Sequence, residues 1–398
     1  MADKPILIAG GGIGGFAAAL ALSQKGRAVH LIEQAPEFGE IGAGIQLGPN
    51  VFKMFDVLGL TQAIDDVAVY PDALVMIDAL SGEQITRVPL NTNEFRARFE
   101  YPYGVIYRPD LHNAIIDACK DSPLVELTLK QKVVDFEDTD DGVRAHTESG
   151  QTFEGAALIA ADGVWSNARA KIVNDGKPRV SGHIAYRAVL PTEEVPEHLR
   201  IKEVILWAGP KTHLVHYPLH RGEIFNLVAV FHSDRYEEGW NEFGDTDELN
   251  ERFSGEHPNV LMMLDKIETW KMWVLVDREP VKNWSKGRVT LLGDAAHPML
   301  QYLAQGACMA IEDAVCVANK IEQHDGDFAA AFQAYQKDRY LRTARVQLMA
   351  RVYGEFYHAA GPTAELRYMM LSQRTPEQAY AGMNWLYAGV DRSGASIG

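Results

Sequence analysis

Ile6-Leu7-Ile8-Ala9-Gly10-Gly11-Gly12-Ile13-Gly14-Gly15, followed by Ala28-Val29-His30-Leu31-Ile32-Glu33, is the stretch on which the fold turns. Four apolar residues fit a buried strand, the glycines interrupt it, and the alanine-rich run after Gly15 fits a helix ending near Ser23-Gln24-Lys25-Gly26. A strand, a glycine turn and a helix together hold a dinucleotide. Gly10 permits the tight turn, Gly12 lets the backbone approach a pyrophosphate, and Gly15 lets the helix pack closely on the strand. The free N–H groups of the first helical turn, around Ile13 and Gly14, face the phosphates with the positive end of the helix dipole. Glu33, eighteen positions after Gly15, is placed to accept hydrogen bonds from a ribose. A bare GxGxxG is weak, but this one follows a strand, opens a helix and has its acidic residue.

Residues 5–22 are nearly all apolar or small, so they also invite a reading as a signal peptide or membrane span. Their glycines and the single lysine before them argue against both, and the nucleotide turn accounts for the same residues. The 398 residues, 47% hydrophobic and 23% charged, predict a soluble chain of two domains or one elaborated one. A net charge of -16 repels nucleic acid, and it means that an anionic ligand needs local positive groups or backbone N–H donors. No other stretch approaches a membrane span. Cys119, Cys308 and Cys316 have neither metal-ligand spacing nor the makings of a disulfide framework, which points to a reducing cytoplasm.

Further along, residues 38–50 are too glycine-rich for helix and are a candidate for close backbone approach to a cofactor. Residues 51–66 and 109–120 carry helical periodicity. Ala157-Leu158-Ile159-Ala160 reads as a strand ending in the Asp162-Gly163 turn. Between 178 and 276 the pattern turns to alternating strands with aromatic content, which predicts a separate sheet serving the substrate. Val289-Thr290-Leu291-Leu292-Gly293-Asp294 returns to a buried strand, followed by a helix over about 304–322 and an amphipathic helical remainder in which Tyr335, Arg339, Arg342 and Arg345 give a basic face. The expected fold is α/β: a Rossmann-like domain over 1–177 with excursions into the second sheet at about 70–105, a mostly antiparallel sheet domain over 178–276, and a return over 277–398 with C-terminal helices.

The glycine turn with Glu33, the segment Asp162-Gly163-Val164-Trp165-Ser166 with Arg169, and Gly293-Asp294-Ala295-Ala296-His297-Pro298 with Gln305-Gly306 stand in order along the whole chain. Together they resemble the single-component FAD-dependent aromatic hydroxylases. The resemblance implies FAD as bound cofactor, with Asp294 on its ribityl chain, Pro298 beside the flavin ring at the substrate, and the Gln305-Gly306 backbone at the flavin edge. It also implies cofactor contacts by Arg108 and Asp162, and Val133 beside the adenine. Independently, a helix N-terminus at Gly306 suits the negative charge of reduced flavin, and Asp294 at a strand's carboxyl end suits sugar hydroxyls. Asp294 as a helix N-cap and Asp162-Gly163 as an ordinary turn are the bland readings. Only one full dinucleotide fingerprint is present, so NADH is expected as a transient co-substrate, with NADPH open.

The family chemistry inserts one oxygen atom from a peroxyflavin into an electron-rich phenolic ring, and a base near the phenol assists. On Thr212-His213-Leu214-Val215-His216-Tyr217-Pro218, alternation puts His213, Val215 and Tyr217 on one face and Leu214 and His216 on the other. Taken alone, His213 is better explained as a structural histidine. However, Gln301 stands where salicylate-hydroxylase-like members carry proline, and His213, Tyr217 and Gln301 together resemble the 3-hydroxybenzoate 6-hydroxylase branch, which forms gentisate (2,5-dihydroxybenzoate). That match implies His213 as a base poised near neutral pH, with Gln301 and Tyr217 beside the substrate. Tyr103 is a further ring-side hydroxyl or a core residue. A salicylate- or 6-hydroxynicotinate-type hydroxylase, or a flavin oxidase or dehydrogenase without oxygen insertion, are the alternatives. The expected partners are a small aromatic acid and molecular oxygen, without nucleic acid or membrane, and with a homodimer open. No metal is expected: His297 with His213 or His216 lacks ligand spacing and reads as structural.

Overall fold

The computed structural model describes residues 4–37, 43–233 and 242–397. Strand Ile6–Ala9 is wholly buried and lies between Val29–Ile32 and Ala157–Ala160, parallel to both. Val125–Thr128 and Val289–Leu291 extend this sheet, with Ser285–Lys286 antiparallel at its edge. Burial on both faces explains the unbroken apolar runs of the central strands, since parallel strands covered by helices have no solvent face on which to alternate. Helix Ile13–Gln24 packs on helices Gly306–Gln323 and Arg108–Lys120. Its alanines pack within the protein on all sides, which is why a segment resembling a membrane span is instead a core helix. Among the described residues no helix is long and apolar enough to cross a membrane.

The second sheet has eight strands in the order Glu242–Phe243, Lys271–Asp277, Arg179–Pro191, Ile224–His232, Thr212–Leu219, Val204–Gly209, Ala73–Asp78, Gln84–Pro89. It is antiparallel except where Val204–Gly209 meets Ala73–Asp78. Its two faces separate cleanly. Ile184, Tyr186, Leu214, Leu227, Ala229, Phe231 and Met272 pack into a second core with helices Thr246–Phe253 and Pro258–Leu264. Ala185, Val215, Tyr217, Val228, Val230 and Leu275 pack on the main core, toward the nucleotide-type unit. The strand alternation therefore sorts residues as expected, with His213 and Tyr217 on the inner face. Four residues at about 3.3 Å each leave their backbones about 13 Å apart along the strand.

Two features differ from the sequence reading. The two helices behind the sheet lie inside the stretch read as strands; the first is capped by Asp245, whose carboxylate accepts from the Asp247 and Glu248 N–H groups. The glycine-rich segment contains a short strand, Gly44–Leu47, paired with Gly104–Tyr107, and leads into helix Pro49–Val57; residues 38–42 of it lie outside the described residues. Gly44 lies against the inner face of the second sheet, and a Cβ there would sit 2.6 Å from the Tyr217 ring.

Candidate active site

At the end of strand Ile6–Ala9 the chain turns through Gly10 at φ +106°, where a Cβ would lie 2.3 Å from the Ala161 carbonyl oxygen. A Cβ on Gly15 would lie 1.9 Å from the Gly10 carbonyl oxygen, so alanine at position 15 would push helix and strand apart. Gly12, at the helix N-cap, has nothing within 4 Å of where its Cβ would be. The turn is thus tight where it meets protein and open where a pyrophosphate would lie, with the N–H groups of the first turn, Ile13 and Gly14, at that end. Gly14 has a second role: its missing side chain lets Leu292 and Ala310 approach, closing the contact with helix Gly306–Gln323. Glu33 accepts from the Gly11 and Ala35 N–H groups at 2.5 and 2.7 Å, which holds its carboxylate beside the turn.

The other two motifs are joined by Arg169. Fully buried and ion-paired with Asp175, it donates to the carbonyl oxygens of Ala295 and Ala296 at 3.1 and 2.5 Å. Asp162 accepts from the Asn167 and Ala168 N–H groups, so one carboxylate oxygen caps the next helix while the other is buried without a hydrogen bond. Val133 lines a small cavity of about 10 Å³ with Ala9, Ala160 and Asp162, which is one water's room. The Gly293–Pro298 turn is held from below by Asp313, which takes the Gly293 N–H at 3.1 Å and His297 Nε2 at 2.6 Å. Arg339 pairs with Asp313 and Glu312, and Arg342 with Glu312, each at 2.7 Å. These two arginines of the expected basic face are therefore buried ion-pair partners, and Arg345 stacks on Trp385 at 4.2 Å. His297 and Arg339, both bonded to it, hold the Asp313 carboxyl down at about 2, despite burial.

Asp294 projects from this turn. Protein surrounds it on all sides, and the resulting desolvation raises its pKa against the pull of His297 and Arg108, yet its surface is open to solvent. Both hold for a side chain on the wall of a deep cleft. Gly306 opens its helix 3.9 Å from the Asp294 carboxylate (measured from an added Cβ), and Gln305 is buried behind it, accepting from Asn50 Nδ2 at 2.9 Å. An open glycine turn, an acceptor on a cleft wall and a free helix N-terminus fit the phosphates, ribityl hydroxyls and pyrimidine edge of FAD. Pro298 is buried, its carbonyl oxygen taking the Gln347 amide at 3.0 Å.

Across the cleft, the inner face of the second sheet contributes Arg187, His213 and Tyr217. Arg187 donates to Gln301 Oε1 and lies over the Trp273 ring at 5.3 Å. Among the described residues it has no carboxylate partner. Burial, with Arg108 nearby, lowers its pKa to about 10, so it is still cationic at neutral pH. Tyr217 lies within the field of Arg187 and shares a hydrogen bond with Gln46, which also accepts from the Tyr103 hydroxyl at 2.5 Å. His213 sits further along the strand against Tyr302 and Tyr357, its Nδ1 2.6 Å from His358 Nε2. Burial, with His183 and His232 nearby, pushes its pKa down to about 3. The expected poise near neutrality is therefore not what this environment produces: an imidazolium here has lost its water and faces other imidazoles.

The chain matches the model of the FAD binding domain family over residues 3–347. It belongs to that family. Over 386 residues it is 46% identical to 3-hydroxybenzoate 6-hydroxylase of Polaromonas naphthalenivorans, covering 97% of this chain and 96% of that protein. The fold matches Klebsiella pneumoniae HpxO complexed with FAD and uric acid, with a TM-score of 0.86 and 26% identity over 97% of both chains. It also matches a salicylate hydroxylase substrate complex, with a TM-score of 0.82 and 26% identity over 100% and 99%.

For a member of this family, three residues of the cleft were not among those the sequence pointed to. Arg187 had a visible signal, a lone cation in the otherwise buried run His183-Ile184-Ala185-Tyr186-Arg187. Gln46 and His358 had none, since only the tertiary fold brings them to Tyr217 and His213.

Proposed function

We propose that the protein is a cytoplasmic FAD-dependent monooxygenase that uses NADH and molecular oxygen to hydroxylate 3-hydroxybenzoate para to its hydroxyl, giving 2,5-dihydroxybenzoate. The observation that carries this reading is the grouping of Arg187, Gln301 and Tyr217 on one side of the cleft with His213 further along, in a chain 46% identical end to end to a 3-hydroxybenzoate 6-hydroxylase. When bound, FAD supplies the electrons that activate oxygen. Asp294, the glycine turn, Glu33, Arg108, Asp162, Val133 and the Gln305-Gly306 backbone hold it. Arg187 faces the substrate carboxylate, Gln301 and Tyr217 fix the ring, Tyr103 and Pro298 bound the pocket, and His213 Nε2 receives the phenolic proton, which raises electron density at the para carbon. Aromatic and aliphatic walls exclude water.

The salicylate-type alternative lacks its proline at position 301. Product analysis on a panel of hydroxybenzoates decides: one 2,5-dihydroxybenzoate per NADH is expected, whereas peroxide alone indicates an oxidase or an uncoupled effector. His213→Ala should lower hydroxylation by about 10²- to 10⁴-fold while FAD stays bound. A homodimer is the assembly we favour, because Leu341, Leu348 and Val352 on the long helix, and Leu366, Met369 and Met370 on the next, are exposed apolar side chains at helical spacing that a second copy would cover. Sedimentation of the holoenzyme reads that directly.

A further inference from the structure

His213, buried to 3% exposure, is the inner end of a continuous chain of imidazoles. Its Nδ1 lies 2.6 Å from His358 Nε2, and His358 Nδ1 lies 2.9 Å from His232 Nε2. His232 is half-buried and reaches solvent. Each contact joins one Nδ1 to one Nε2, so a single choice of tautomer makes every ring donate outward. His358 also caps the C-terminus of helix Phe328–Tyr357, the end whose negative dipole favours a passing positive charge.

We propose that His213, His358 and His232 form a proton relay that carries the substrate's phenolic proton from the cleft to solvent. The inference rests on His213 being the base of the proposed reaction. Stated by atoms, the phenol O–H bond breaks and His213 Nε2 gains the proton. His213 Nδ1 passes its own to His358 Nε2, His358 Nδ1 passes its own to His232 Nε2, and His232 Nδ1 releases one to water. Phenolate is left in the cleft and every imidazole is again neutral in its other tautomer; the product, leaving as its phenol, draws a proton back and resets the chain.

The surroundings favour passage over retention. Tyr302 and Tyr357 flank His213, and His183 stacks on His232 at 4.1 Å with its Nδ1 on the Tyr302 hydroxyl. His213, His358 and His232 all have pKa values pushed below the ordinary histidine value, mainly by burial, with their imidazole neighbours adding to it at His213 and His358. At the outer end Lys211 and Arg252 oppose a resting charge on His232, while Glu355 draws the proton outward. A base that cannot keep a proton near neutral pH is serviceable only if the proton can leave. His183, His232 and His358 also present ring nitrogens within 4.8 Å of one another, a spacing a metal ion could use, but three of these nitrogens are already engaged with His358, His232 and Tyr302.

The test mixes oxidised holoenzyme with 3-hydroxybenzoate in weak buffer containing a pH indicator, following proton release and phenolate absorbance together by stopped flow. Wild type should release a proton as phenolate forms. Glutamine can keep a hydrogen bond but cannot ferry a proton, so His358→Gln and His232→Gln should retain FAD and ligand affinity while both signals slow at least tenfold. Added imidazole should restore the rate to His358→Ala. Wild-type rates in both glutamine variants, with His213→Ala defective, overturn the relay alone. Normal ionisation in His213→Ala, or no proton release by wild type, overturns the base assignment instead. One equivalent of tightly held metal in the holoenzyme, lost in His183→Ala, would make the cluster a metal centre and also overturn the relay.

Discussion

Replacing Arg187 by methionine isolates how the cleft selects an acid. The guanidinium keeps its charge at neutral pH, although burial and Arg108 lower its pKa to about 10. Its neighbours are the Gln301 amide, the Trp273 ring and the Tyr217 phenol, none of them anionic at that pH. A pKa lowered on folding means that the folded state penalises the charge at every pH below about 10, and that the penalty fades as pH rises above that toward the ordinary arginine range. Methionine at this position should therefore leave the melting temperature of the free protein unchanged or raise it. A ligand carboxylate reverses the balance, and truncating one partner of such a buried pair costs about 2–5 kcal/mol. Gln301 and Arg108 remain, so the lower half of that range applies: about 3 kcal/mol, or roughly 10²-fold in Kd at about 1.4 kcal/mol per decade.

The assay is titration of flavin absorbance with 3-hydroxybenzoate and with its neutral analogue 3-hydroxybenzamide. Wild type should prefer the acid, and Arg187→Met should weaken acid binding about 10²-fold while moving the amide little. Arg187→Lys should fall between, since an ammonium cannot hold the Gln301 oxygen and grip a carboxylate side by side as a guanidinium can. An unchanged ratio of acid to amide affinity in Arg187→Met would refute the assignment, however much activity changed.

Purified protein should be yellow with about one FAD per chain, and Asp294→Ala should lose FAD on dialysis more readily than wild type while circular dichroism of the apoprotein is unchanged; equal FAD affinity would remove Asp294 from the ribityl contact. Flavin reduction by NADH should accelerate when 3-hydroxybenzoate is present, because a chain with one dinucleotide fingerprint has to gate hydride transfer through the occupied cleft; equally fast reduction without any hydroxybenzoate favours the oxidase reading. Folding stability should fall with pH below about 6.5, since His216, buried with Nδ1 unpartnered, has its pKa lowered to about 4 and the unfolded chain takes up the proton first. Urea unfolding of His216→Gln at pH 7 and pH 5 should show that slope reduced by up to about one proton, about 1.4 kcal/mol per pH unit; an unchanged slope would mean that His216 is protonated in the folded state.

What the sequence disclosed and what it concealed separate along a physical line. The glycine turn was legible because a φ of +106° at Gly10 and the 1.9 Å approach at Gly15 tolerate no other residue, so the backbone's demand is written in the residue type itself. The inner and outer faces of Thr212–Leu219 were legible because a strand alternates with a period of two and the two cores behind it do not mix. The partners of charged groups were not. Arg339 and Arg342 have the spacing of a solvated basic face, and only the packing of one helix on another turns them toward Glu312 and Asp313. His213 has the composition of a neutral-pH base, and only its burial in the folded chain, with His183 and His232 nearby, lowers its pKa so far. Residue type carries a group's intrinsic pKa and hydrogen-bonding capacity; the desolvation and neighbouring charges that set its behaviour come from chain segments as distant as 145 positions, the separation of His213 and His358. The same distinction applies to Arg187: an arginine in a buried strand signals a polar partner somewhere, and only the folded cleft puts Gln301 on its guanidinium and leaves the buried Nε–H without a hydrogen bond, which is where the proposed function puts the substrate carboxylate.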